Sequence, residues 1–154
     1  MLENNEGERE MHKKYYAIII LAHLIVPISL LFPILRVNEI RLGLSGGTTT
    51  SEHYMNIIEY IASDIYTITG ILILFLALIQ LAGVGIAVVG LVEKSVRSIL
   101  VRLSFISSFS CAILAALQIY SGSRILFIIC AVSFVTIAFS SIRLMKIEEK
   151  SDQS

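Results

Sequence analysis

Charge is missing from four long stretches of this chain: residues 15–35, 65–92, 103–123 and 125–142 contain no Asp, Glu, Lys or Arg. A helix needs about 20 apolar residues to cross the ~30 Å hydrocarbon core of a bilayer, and each stretch meets or approaches that length. The whole chain is 56% hydrophobic and 16% charged, whereas about a quarter of the residues in a soluble domain are charged. The pattern predicts an all-α membrane protein with four transmembrane helices. It excludes a soluble enzyme domain, a secreted disulfide scaffold and a free nucleic-acid-binding module. Twelve basic residues balance twelve acidic ones, so net charge says nothing about a partner.

The boundaries follow from the same charges. Residues 1–14 read as a polar tail, 15–35 as the first transmembrane helix and 36–64 as an extracytoplasmic loop. Residues 65–92 read as the second helix, 93–98 as a cytoplasmic loop and 99–120 as the third helix. A tight outer turn at 121–124, a fourth helix at 125–144 and a second tail at 145–154 complete the chain. A secretory leader would start basic and end at a small-residue cleavage site. Here the N-terminus is acidic and the first run ends in Phe32-Pro33-Ile34-Leu35-Arg36, so the first helix is expected to be retained. Placing both termini in the cytoplasm puts nine basic residues inside and only Arg36, Arg41 and Arg124 outside, as the positive-inside rule requires. The expected location is the cell membrane, with multiple passes. The short connections between helices two, three and four force antiparallel neighbours.

The first outer loop has content of its own. Asn38, Ile40, Leu42 and Leu44 alternate with Val37, Glu39, Arg41 and Gly43, which predicts a short strand. Gly46-Gly47 and three threonines follow as a turn. Thr49 and Glu52 have capping-box spacing, and Tyr54, Ile57, Ile58, Ile61 and Ile65 then mark an amphipathic helix on the outer surface or over the helix ends.

In a membrane, small and polar residues mark where helices touch. They recur at four-three spacing on every apolar run. The second run has Thr69, Ile73, Leu76, Gln80, Gly83, Ala87 and Gly90, and the third has Ser104, Ser108, Cys111, Ala115, Gln118 and Gly122. The fourth has Ile129, Ser133, Thr136, Ser140 and Arg143, and the first has Tyr16, Ile20, His23, Pro27, Leu30 and Ile34. A 3.5-residue period predicts a left-handed antiparallel bundle, with Gly83, Ala87, Gly90, Cys111 and Ala115 as the close-packing positions. At 1.5 Å per residue, His23, Ser108 and Thr136 lie ~12–14 Å from the cytoplasmic edge and Gln80 ~18 Å. These four are the expected intramembrane polar layer. Pro27 and Pro33 free the carbonyls of His23 and Ser29 from their helical partners, and Ser108 and Gln80 are the expected substitutes. Two readings of the layer stand open. It fixes helix register through bonds worth about 0.6 kcal/mol each, or His23 relays protons or ions.

Catalytic patterns are missing. No carboxylate lies within any span, and Cys111 and Cys130 differ in expected depth by ~7 Å, so both read as packing residues. His12, His23 and His53 fall in three separate compartments, which leaves no metal site. Gly83-Val84-Gly85 lies inside an apolar helix and not in a phosphate loop, so no cofactor is expected. The order of spans and the long first loop is similar to the layout of claudin-type tetraspans, without a Trp or a cysteine in that loop. The sequence thus predicts a non-enzymatic accessory or structural subunit, in contact with the lipid bilayer and with another membrane protein or its own copies, and not with nucleic acid. A small channel or transporter built on the polar layer is the alternative.

Overall fold

The computed structural model describes residues 2–42, 48–63, 67–93, 96–121 and 123–151. The chain is mostly helical, with one small two-stranded sheet. Its elements are α1 (Leu2–Ser29), β1 (Leu35–Leu42), β2 (Thr48–Met55), α2 (Ile57–Ala62), α3 (Thr67–Val92), α4 (Arg97–Ser121) and α5 (Arg124–Ser151). Among the described residues, three helical segments are long and apolar enough to cross a membrane: Ile68–Val92, Arg97–Ile119 and Arg124–Glu149.

The first helix differs from its expected bounds at both ends. It already includes residues 2–14, because an apolar stretch that has nucleated a helix extends it into polar neighbours at little cost. It stops at Ser29, six residues before the apolar run ends. Pro27 lies inside its last turn, the Ser29 hydroxyl donates to the Val26 carbonyl at 2.7 Å, and Pro33 disfavours helix at Phe32. The chain leaves through tight turns, with Leu31 N–H on Ile28 O and Phe32 N–H on Ser29 O, both at 3.1 Å. The Ser29 carbonyl is therefore met from within its own turn. Gln80 and Ser108, its expected partners, bond elsewhere.

The following loop is a hairpin where one strand was expected. β1 and β2 pair antiparallel from Leu35↔Met55 to Leu42↔Thr48. Thr49 and Glu52 consequently lie in β2 and cap no helix. The capping box sits seven residues later, at Asn56 and Glu59. Asn56 accepts from the Ile58 and Glu59 amides at 3.0 Å, and the Glu59 carboxylate accepts from the Asn56 amide at 3.0 Å. The amphipathic helix is thus the single short helix α2, which buries Ile57 and Tyr60 and exposes Ile58. Tyr60 and Ile61 press on Gly70 of α3 so closely that an added Cβ would lie 2.6 Å from Ile61 Cγ1. α2 therefore rests on protein on that side.

Each long helix packs chiefly on two others: α1 on α3 and α5, and α4 on the same two, while α1 and α4 meet across the centre only at a few residues. The buried centre includes Tyr16, Ile19, Val26, Ile73, Val101, Leu114, Leu126, Ile137 and Leu144. The outside is equally apolar. Leu21, Ile68, Phe75, Ile106, Ile128 and Val135 are all more than half exposed, a surface that water does not favour and lipid does. On α5 the buried face is Leu126, Cys130, Ser133, Ile137, Ser140 and Leu144. It keeps Ser133 and Ser140 of the expected stripe, but Cys130, Ile137 and Leu144 take the places of Ile129, Thr136 and Arg143, so Arg143 points outward over the Phe139 ring at 5.1 Å.

Candidate functional site

His23 is fully buried on α1, and its ring packs against Gly83 of α3. A Cβ at Gly83 would come within 2.6–2.9 Å of three ring atoms, so only glycine leaves room there. Nδ1 lies 2.5 Å from Gln80 Oε1. The Gln80 amide nitrogen donates to the Ser107 carbonyl at 3.1 Å and to the Ser110 hydroxyl. These two acceptors fix the amide orientation, and with it the tautomer: Gln80 presents an oxygen to His23, so Nδ1 carries the proton. Nε2 is then the acceptor and faces the hydroxyls of Ser107 at 3.2 Å and Ser104 at 3.4 Å. Ser107 also reaches the Ser104 carbonyl at 2.8 Å, and Ser110 the Ser107 carbonyl at 2.6 Å.

The structure thus joins two members of the expected layer, His23 and Gln80, and completes the cluster with other residues. Ser108 is buried, but its hydroxyl turns back to the Phe105 carbonyl of its own helix at 2.6 Å. Thr136 is half-buried on α5 and makes no hydrogen bond to His23 or Gln80. Ser104, Ser107 and Ser110 take their places, and the i, i+3 serine run was the signal for them. The heptad stripe hid it because α4 touches both α3 and α5 and uses a wider face than one seam. Of the close-packing positions, Gly83, Ala87, Gly90, Cys111 and Ala115 are all buried. Cys111 and Cys130 are free thiols.

A second cluster closes the end where the termini lie. Tyr16 stacks on Gly90, where a Cβ would lie 2.7 Å from the ring. Arg97 Nε donates to the Gly90 carbonyl at 3.0 Å, meeting one of the carbonyls that a helix C-terminus leaves open. Glu148 lies 3.4 Å from His12 Nδ1 and 3.9 Å from Arg97 Nε. The sequence placed His12 in a solvated tail. It instead sits in the helical extension of α1, beside the helical extension of α5.

The opposite, hairpin end carries Arg36 and Glu52, paired across the two strands. An apolar groove of about 300 Å³ lies between α1, α2 and α3, walled by Pro27, Leu30, Ile57 and Ala77 among others. Neither it nor the cavities at the hairpin end include His23, Gln80 or a serine of the cluster in their walls. Among the described residues no group of three His, Cys, Asp or Glu side chains is placed to hold a metal ion. In comparisons with known proteins, no family model, no curated protein and no solved structure matches this chain.

Proposed function

We propose that the chain is a four-span membrane protein of the cell membrane with both termini in the cytoplasm, and that it acts as a non-enzymatic subunit associating through its transmembrane helices. The observation that carries the subunit reading is the contrast between glycines on α3. Gly70, Gly83 and Gly90 are each filled by a side chain from the same molecule, Ile61, His23 and Tyr16 respectively. Gly85 is exposed, and a Cβ there would meet nothing within 4 Å. A helix interior gives up roughly 0.8–1.0 kcal/mol by holding Gly in place of Ala. An outward glycine beside exposed Ala82 and between Leu81 and Val88 makes a notch that a helix of another chain fits. The cluster of His23, Gln80 and the α4 serines fits the same reading, because its hydrogen bonds tie α1, α3 and α4 together in one register.

Gentle extraction followed by native mass spectrometry tests it. The wild-type chain should appear with a partner, or with its own copies, at fixed stoichiometry, and Gly85→Leu should release a folded monomer. A wild-type chain recovered only as a monomer would overturn the subunit reading. A small channel or transporter is the second reading. It is favoured by one feature, the contact of His23 Nε2 with the Ser104 and Ser107 hydroxyls, whose oxygens could accept from the ring when it gains a proton. It requires His23→Ala to abolish flux in liposomes while the fold persists, and unchanged flux would sink it.

A further inference from the structure

Two of the three basic residues expected on the outer side, Arg36 and Arg124, line the same pair of cavities. One, of about 310 Å³, is walled by both arginines with Gln118, Ile119 and Phe127. The other, of about 250 Å³, is walled by both arginines with Glu52 and Tyr54. The charges at this place do not cancel. Glu52 pairs with Arg36 through Nη2, while Arg124 has no ion pair among the described residues. Arg36 Nε is buried and has no hydrogen-bond acceptor, an uncommon state for a guanidinium donor. Arg124 also opens α5, whose first turn contains no acidic residue. A cation there faces the positive end of the helix dipole, and an anion bound between the two guanidiniums would relieve both repulsions. Arg–phosphate contacts are planar and charge-assisted, which suits a phosphate group in the cavities that both arginines line.

The rim decides between a free anion and a lipid. Ile119, two-thirds exposed, and Phe127, more than a third exposed, stand beside the arginines in the wall of the larger cavity, at the ends of α4 and α5 whose outer faces are apolar. A ligand with phosphate at one end and acyl chains below it would match that sequence of surfaces. We infer that Arg36 and Arg124 form a binding site for the phosphate of an anionic phospholipid in the outer leaflet. The choice of a lipid over a free phosphate rests on the membrane placement proposed above. The arginine pair itself does not.

Native mass spectrometry of the delipidated full chain, with short-chain probes, tests this. Dioctanoyl phosphatidylglycerol should add as one retained adduct, while dioctanoylglycerol, which lacks phosphate, and inorganic phosphate, which lacks acyl chains, should not. Arg36→Gln and Arg124→Gln should each weaken the adduct at least tenfold. Arg41→Gln and Gly85→Leu should leave it unchanged, and Arg124→Lys should keep most of it, which separates lost charge from lost fold. Equal retention of phosphatidylglycerol by the two Gln variants would overturn the site. Equal retention of dioctanoylglycerol would overturn phosphate recognition. Inorganic phosphate bound as tightly, and lost in the same variants, would overturn the lipid and leave an anion site. Loss of the partner complex with the lipid adduct intact would count against the subunit reading alone.

Discussion

One added methyl group should separate the two kinds of glycine on α3. Gly83→Ala drives a Cβ to 2.6 Å from the His23 ring, so either the ring or the helix must move. Overpacking of this kind costs about 1–3 kcal/mol, and it also strains the 2.5 Å contact between His23 and Gln80. Gly85→Ala meets open space and should be neutral or stabilising by up to ~1 kcal/mol. Reversible unfolding in detergent micelles checks the pair, and equal effects at the two positions would refute the assignment. Gln80→Leu tests the cluster in another way. It strands the Nδ1 proton of His23 in a buried place, at a cost of about 1–3 kcal/mol. His23→Leu combined with Gln80→Leu should recover part of that loss, as a double-mutant cycle would show. The sequence made His23, Gln80 and Gly83 legible, since a polar or very small residue inside an apolar run has few reasons to be there. It did not rank Ser107 above Ser108, because those neighbours differ only in which helix they face, and that is set by packing.

At the scale of elements, the hairpin shows why a local motif is ambiguous. Thr49-x-x-Glu52 and Asn56-x-x-Glu59 satisfy the same capping rule. The choice between them is made from a distance, by the pairing of Thr48–Met55 with Leu35–Leu42. Thr48, Thr49 and Thr50 are β-branched and fit a strand, and the helix can start only after that strand ends. Asn56→Ala should therefore unsettle α2, where loss of a cap costs about 1 kcal/mol, while Thr49→Ala should not. Hydrogen exchange over residues 57–62 reads the difference, and faster exchange in the Thr49 variant would contradict the assignment. The long helices were easier to read. Their apolar runs have no competing partner, and the structure departs from them mainly by extending α1 and α5 into polar sequence, where Glu148 bridges towards His12 and Arg97.

For the whole molecule the open quantity is the reach of α1. Its apolar helical part, residues 15–29, is about 22 Å long, short of a ~30 Å core, whereas the candidate spans of α3, α4 and α5, of 25, 23 and 26 residues, are long enough for it. On the four-span reading proposed above, residues 30–35 would complete the distance without helix. Non-helical backbone is tolerated at that depth only where protein satisfies it. Part of that backbone is met by protein: the Leu30 carbonyl accepts the Ile57 amide at 3.0 Å and the Phe32 carbonyl the Ile34 amide at 2.8 Å, the Ile34 carbonyl accepts the Ser123 hydroxyl, and Leu30 and Leu35 are buried while Leu31 and Phe32 are exposed. α1 and α5 also run antiparallel, joined near His12 and Glu148 at one end and near Ile34 and Ser123 at the other. A chain crossing four times must therefore show Met11 and Lys146 on one side and His53 on the other. Impermeant maleimide on intact cells should label His53→Cys, and should reach Met11→Cys and Lys146→Cys only after permeabilisation. The native Cys111 and Cys130 are buried and stay silent. Labelling of Met11→Cys from the same side as His53→Cys would mean that α1 does not cross, leaving three spans and an N-terminal helix that must find another surface for its apolar face.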